Sequence, residues 1–320
     1  MSSLGHVAGI SDPGRRRRRN EDAYVVEPPL FAVADGMGGA QAGEVASRLA
    51  AAALKESGAG RGGEQRIVSL IQEANRRVYD RSTEDPNASG MGTTMTVALV
   101  EAGQVAFGHV GDSRAYLIRD GSMEQLTEDH SLVGELLRSG KLSPEEAEVH
   151  PQRSVITRAL GTDPDVDVDT FTIAARPGDL FLLCSDGLTT MVANRAILDL
   201  VERHRGDVDK ALRMLVSAAN KGGGEDNITI VAFEIAEDGF AHDGDTREQA
   251  RPSGTVPDDE DTLTEVDGVP VVGSGAEPAA GGRDERAIRR RHLRRRLVAW
   301  LALLVFAAAI AVVLYLRFVR

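Results

Sequence analysis

Apolar and β-branched residues in this chain gather into short runs separated by polar turns. Residues 30–34, 94–100, 105–110, 115–118, 180–183 and 228–235 form such runs, and their composition predicts strands. Residues 42–55 and 65–79 instead carry apolar side chains at helical spacing. Ser143-Pro144-Glu145-Glu146 reads as a helix start, with a capping hydroxyl followed by proline and acids. A further helix is expected over 207–220, closed by the glycines at 222–224. Glu101-Ala102-Gly103 and Asp120-Gly121 join consecutive strands by short turns, which favours antiparallel pairing over βαβ crossovers. Residues 1–236 are therefore expected to form an α+β domain on antiparallel sheet.

The pattern changes after residue 236. Residues 237–285 are rich in Gly, Pro, Asp and Glu, with Phe240 as the one aromatic. Such a segment buries too little apolar area to offset its ordering entropy, and it reads as a disordered acidic linker. Residues 286–296 then bring seven arginines and no acid, ahead of a charge-free run at 297–316. At about 1.5 Å per residue that run spans about 30 Å, the thickness of a bilayer's hydrocarbon core. A transmembrane helix is expected there, with Trp300 and Tyr315 near its ends and the arginine-rich flank in the cytoplasm. No apolar stretch follows Met1, so no signal peptide is expected. The folded domain is accordingly expected on the cytoplasmic face of the cell membrane, held by one span.

Charge and cysteine content narrow the chemistry. A net charge of −12 excludes a general affinity for nucleic acid, which needs clustered Lys and Arg. The single cysteine, Cys184, excludes an internal disulfide, and its apolar neighbours Leu182 and Leu183 mark it as a small core residue.

A set of aspartates stands beside glycines or other small residues at the ends of the apolar strands. Asp35 lies in Ala34-Asp35-Gly36-Met37-Gly38-Gly39, Asp112 in Gly111-Asp112-Ser113-Arg114, and Asp186 in Ser185-Asp186-Gly187. Asp226, in Glu225-Asp226-Asn227, comes just before a strand. Each pair taken alone is an ordinary turn. Together, carboxylates at strand ends converge if the strands share sheets, and hard oxygen donors of this kind suit Mg²⁺ or Mn²⁺. His109, alone in an apolar strand, reads as a hydrogen-bonded core residue and is left out of the site.

These segments, with Arg17-Arg18-Arg19-Asn20-Glu21-Asp22, Gly92-Thr93-Thr94 and Asp226-Asn227-Ile228-Thr229, occur in the order found in the protein phosphatase 2C (metal-dependent, PPM) family. The chain resembles the bacterial branch of that family over roughly residues 4–236. The resemblance implies an α-β-β-α sandwich, two antiparallel sheets flanked by helices, with a dinuclear Mn²⁺ or Mg²⁺ centre between them. By the same resemblance Asp35 bridges the metals, the Gly36 carbonyl binds one, and Asp186 and Asp226 hold the other. Asp112, with Asp186, matches a weaker third position. Glu21 and Asp22 match groups that orient water around the metals. Arg17 matches the phosphate-binding arginine, whose planar fork can hold two phosphate oxygens.

The implied reaction is hydrolysis of phosphoserine and phosphothreonine in proteins by a metal-activated water, with no phosphoenzyme. Its expected partners are phosphorylated proteins, serine/threonine kinases and their substrates. Met37 stands where many eukaryotic relatives have a histidine that is a proposed general acid, and Met cannot donate a proton. Residues 130–161 match a flap beside the metals, in which Ser154 is a candidate contact to the third position. Two other functions remain open to the same parts. A membrane-anchored module that binds phosphoproteins without catalysis would have lost a metal carboxylate, and Asp35, Asp186 and Asp226 are all present. A phosphatase of small phosphorylated molecules would use the same centre.

Overall fold

The computed structural model describes residues 4–236, apart from 39–41, 59, 61, 144, 145, 148 and 149. The acidic linker, the basic stretch 286–296 and the apolar run 297–316 all lie outside the described residues. Among the described residues no helix is long and apolar enough to cross a membrane.

Two antiparallel sheets form the centre. One has the order β1 (Leu4–Asp12), β11 (Ile228–Ile235), β10 (Leu180–Cys184), β7 (Arg114–Arg119) and β8 (Ser122–Gln125). The other has the order β2 (Asp22–Glu27), β3 (Leu30–Met37), β5 (Met95–Glu101), β6 (Gln104–Val110) and β9 (Asp169–Ala174), with the two-residue β4 (Gly92–Thr93) on β3. Every ladder is antiparallel, as the short turns imply. Ala102-Gly103 and Asp120-Gly121 take positive φ at both positions (48° and 80°, 51° and 70°). That backbone matches the twist of the strands it connects.

Each expected strand is present within a few residues of its predicted ends. Five further strands are not among those expected. β1 is broken by Gly5 and Gly9, β4 has two residues, β8 is a largely exposed hairpin arm, β9 alternates polar with apolar positions, and β2 carries Ala23–Val26 between two acids with Val25 alone of the four buried.

Helices cover both outer faces. α1 (Ala42–Ser57) and α2 (Gly63–Glu84) bury Ala46, Ala50, Leu54, Leu70 and Ile71 against the second sheet. α5 (Asn194–Arg203) and α6 (Val208–Gly222) bury Ile197, Val201, Leu212 and Leu215 against the first. Asp207 caps α6 by accepting from the Lys210 amide at 2.9 Å, and Gly223 ends it. Between the sheets the side chains interdigitate, with Phe31 and Phe233 stacked at 4.2 Å and Phe181 against Phe233 at 5.1 Å. The result is the α-β-β-α sandwich expected of residues 1–236.

Two shorter helices border the cleft described next. α3 (Leu132–Arg138) opens the flap segment, and α4 (Asp186–Thr189) follows β10 directly. At Ser143 the predicted helix start takes the form of a reciprocal cap. The Ser143 amide donates to Glu146 at 2.8 Å and the Glu146 amide donates to the Ser143 hydroxyl at 3.2 Å.

Candidate active site

The antiparallel topology brings the strand-end aspartates to one end of the sandwich. Asp35 sits near the end of β3, and Asp22 opens β2 directly opposite it in register. Asp112 occupies the turn from β6 to β7, Asp186 begins α4 after β10, and Asp226 precedes β11. Two sheets thus contribute carboxylates to the same rim, and side chains bond the backbone at Asp35. The Asp35 amide donates to the Thr94 hydroxyl at 2.9 Å, and its carbonyl accepts from the Thr93 hydroxyl at 2.8 Å.

Close approach of these groups is visible in their electrostatics. Burial, then the charges of Asp22, Asp186, Asp112 and Asp226, hold the Asp35 carboxyl well above the usual range. Burial and the neighbouring Asp186 and Asp129 push Asp112 up to about 8. Burial and Asp226 raise Asp186 to about 6. Asp22 rises to about 7, chiefly through burial. Its Oδ2 accepts from the Ser185 hydroxyl at 2.8 Å, while its buried Oδ1 has no partner among the described residues. Burial also raises Glu21. Four aspartates raised by burial and by one another at one rim, with an orphaned carboxylate oxygen among them, are a donor set short of positive charge. Among the described residues no group of three or more acidic, histidine or cysteine side chains is placed, as it stands, to hold a metal ion.

Arg17 brings positive charge to this rim, its Nη2 donating to Asp226 Oδ2 at 2.7 Å, and Arg114 lies beside Asp112 and Asp186. The loop that carries it is pinned at several points. Arg15 and Arg16 amides donate to the Gly224 carbonyl at 2.7 and 3.1 Å. The buried Asn227 side chain donates to the carbonyls of Pro13 and Arg19 and accepts from the Glu21 amide at 2.8 Å. Sequence reasoning did not single out Asn227 or Ser185. Both stand inside the quoted motifs, beside the aspartates, and the signal was a small polar residue placed where the strand becomes fully buried.

Asp112 and Asp186 also line a cleft of about 580 Å³, shared with Arg114, Arg153, Ser154 and Met191. Ser154 is exposed and faces this cleft from the flap. Two residues set aside at the sequence level stay outside the site. His109 is buried and bonded to the Thr96 hydroxyl and the Glu128 carbonyl. Cys184 is fully buried, and burial pushes its thiol up to about 12, so it is no nucleophile.

The comparisons with known proteins agree with this geometry. The family model for protein phosphatase 2C matches residues 15–222. The serine/threonine phosphatase Stp of Listeria welshimeri is 42% identical over 241 residues, which cover 72% of this chain and 95% of that protein. The serine/threonine protein phosphatase PstP of Mycobacterium tuberculosis is 37% identical over 283 residues, covering 87% of this chain but about half (52%) of that protein. A crystal structure of PstP superposes with a TM-score of 0.70 at 38% identity, covering 73% of this chain and all of that one. A second, of the PstP catalytic domain in complex with two manganese ions, gives 0.68 at 36% identity over 73% of this chain and 99% of that one. The chain therefore belongs to the protein phosphatase 2C family and is an enzyme of the serine/threonine phosphatase type.

Proposed function

We infer that this enzyme hydrolyses phosphoserine and phosphothreonine in proteins at the rim built from Asp35, Asp112, Asp186 and Asp226. The carrying observation is the crowding of these carboxylates at one rim, where burial and neighbouring acids raise Asp35, Asp112 and Asp186 and Arg17 donates to Asp226. Such a set fits divalent cations. Two Mn²⁺ or Mg²⁺ ions would be held by Asp35, the Gly36 carbonyl, Asp186 and Asp226, and a weaker third by Asp112 with Asp186. When bound, the cations supply Lewis acidity to water and to the phosphoryl group.

The chain's own residues do the rest. Arg17, on a pinned loop at the mouth, presents its fork to two phosphate oxygens. Glu21 and Asp22 orient hydrogen bonds at the inner wall, with Ser185 holding the Asp22 carboxyl. Ser154 meets the substrate from the flap. Met37 leaves no proton donor at its position. On full-length protein with Mn²⁺, phosphate release from a phosphothreonine peptide is expected to exceed release from a sugar phosphate, and to stop in chelator. Faster turnover of the sugar phosphate would move the substrate class to small molecules, and metal-independent release would remove the cation reading.

The same reading places the enzyme at the cytoplasmic face of the cell membrane, opposing serine/threonine kinases and acting on their substrates. Its support is the charge-free run 297–316 and the arginine asymmetry around it. A flexible tether over 237–296 has an end-to-end distance of roughly 40–45 Å, which would hold the domain near membrane-bound partners. Deleting residues 290–320 is expected to move the protein into the soluble fraction with its peptide activity retained. A membrane fraction unchanged by that deletion would refute the anchor.

A further inference from the structure

One buried histidine lies outside the candidate cation donors yet touches the turn that carries Asp112. His130 is 3% exposed. Its amide donates to the Gly111 carbonyl at 2.7 Å, and the Gly111 amide donates back to its Nδ1 at 3.1 Å. An Nδ1 that accepts this bond carries no proton, so the neutral ring holds its proton on Nε2. There it donates to Asp169 Oδ2 at 3.0 Å, while Arg158 Nη1, 3.2 Å from the same nitrogen, donates to the other oxygen of Asp169. The ring is also packed against buried His109, whose centroid is 4.8 Å away and whose Nε2 lies 3.1 Å from the Glu128 carbonyl.

The same residue stands at the neck of the flap. The His130 carbonyl accepts from the Thr157 amide at 2.8 Å, and the Leu132 amide donates to the Val155 carbonyl at 2.9 Å. The segment between these ladders supplies Ser131, Val133, Arg153 and Ser154 to the cleft wall. On the other side, Gly111 takes φ +113° and has no room for a side chain, because a Cβ would come 2.6 Å from Thr94 Cβ. The turn therefore has no side chain of its own at Gly111 with which to fix Asp112. An imidazole from another segment grips its backbone instead.

We propose that His130 is a positioning residue of the phosphatase site, clipping the Gly111–Asp112 turn to the neck of the flap. It touches no substrate. It acts through Gly111, setting where Asp112 stands relative to Asp186 and to the flap wall that carries Ser154. This role rests on the proposed function of that rim.

The two ring nitrogens can be tested separately, because Asn places its amide where Nδ1 lies and Gln reaches where Nε2 lies. His130→Gln keeps the reach to Asp169 and loses the acceptor for Gly111. His130→Asn does the reverse. On full-length protein with Mn²⁺ and a phosphothreonine peptide, His130→Gln is expected to lower kcat/KM by about tenfold, the scale of a lost outer-layer contact. His130→Asn is expected to rescue most of that, leaving about a twofold loss. In metal-free protein the Gly111 amide should exchange with solvent about tenfold faster in His130→Gln, and near the wild-type rate in His130→Asn.

Equal losses in both variants, or a larger loss in His130→Asn, would overturn the clip in favour of ring packing or the Asp169 contact. Unchanged Gly111 exchange in His130→Gln overturns it even while the wild type remains an active phosphatase. An inactive wild type fails the parent reading instead, and removes the reaction this residue serves. Should His130→Gln melt, the imidazole ¹⁵N spectrum of the wild type decides. An unprotonated Nδ1 supports the clip and a protonated one refutes it.

Discussion

Asp35→Asn is expected to lower kcat on a phosphothreonine peptide by about 10³-fold while raising the thermal midpoint measured in chelator. The two effects come from the same crowding. Asp35 is pressed by burial and by Asp22, Asp186, Asp112 and Asp226, so removing its charge relieves repulsion in the metal-free protein. The same substitution takes away a carboxylate proposed above to hold the cations. A cation contributes several kcal/mol of transition-state stabilisation. At about 1.4 kcal/mol per factor of ten, a loss of about 4 kcal/mol gives the stated fall. Steady-state kinetics with saturating Mn²⁺ and a melting curve in chelator test both halves. Retained activity would remove Asp35 from the centre. A lowered midpoint with activity lost would mean that the residue is needed for folding, and that the crowding described above is relieved in some other way.

Gly36→Ala is expected to lower the melting temperature by about 10 °C and to abolish activity. A Cβ on Gly36 would lie 2.1 Å from the Gly43 carbonyl oxygen and 2.5 Å from that of Glu21. Both obstacles are backbone, and neither can swing away as a side chain would. The Gly36 amide also donates to the Glu21 carbonyl at 3.2 Å, so the clash falls on the contact that holds β3 to the arginine loop. Overpacking of this kind costs about 3 kcal/mol. In a domain of this size each kcal/mol is about 2–4 °C. Gly206→Ala is the control, since a Cβ there meets nothing within 4 Å. A Gly36→Ala midpoint equal to that of Gly206→Ala would show that β3 and α1 slide apart without cost.

The strands that make the centre of each sheet were legible because both of their faces are buried. Leu180, Phe181, Leu182 and Leu183 are at most 2% exposed, and an unbroken apolar run follows from that. The edges were not legible for the converse reason. β8 is mostly solvated, and β1 leans on β11 while carrying two glycines, so neither presents a pattern that composition can detect. α5 was missed as well, its apolar positions spread among charges that solvent accepts. The aspartates could be read because a carboxylate beside glycine at a strand end is a conspicuous chemical choice. Asn227, Ser185 and Thr94 could not be ranked in the same way. Their roles are hydrogen bonds to partners up to 214 residues distant, and nothing local to them announces those partners.

The pairing of β1 with β11 also governs when the enzyme exists during its own synthesis. β11 lies between β1 and β10, and it brings Asp226 and the Asn227 that pins the arginine loop. A chain still growing on the ribosome holds Asp35 and Arg17 early, but without β11 the first sheet is split and the loop has nothing to grip. Closing it is a long-range event, paid for in loop entropy only once Ile235 has been made. Until β11 is made, the nascent chain lacks Asp226 and the Asn227 grip on the arginine loop, and it is expected to be inert.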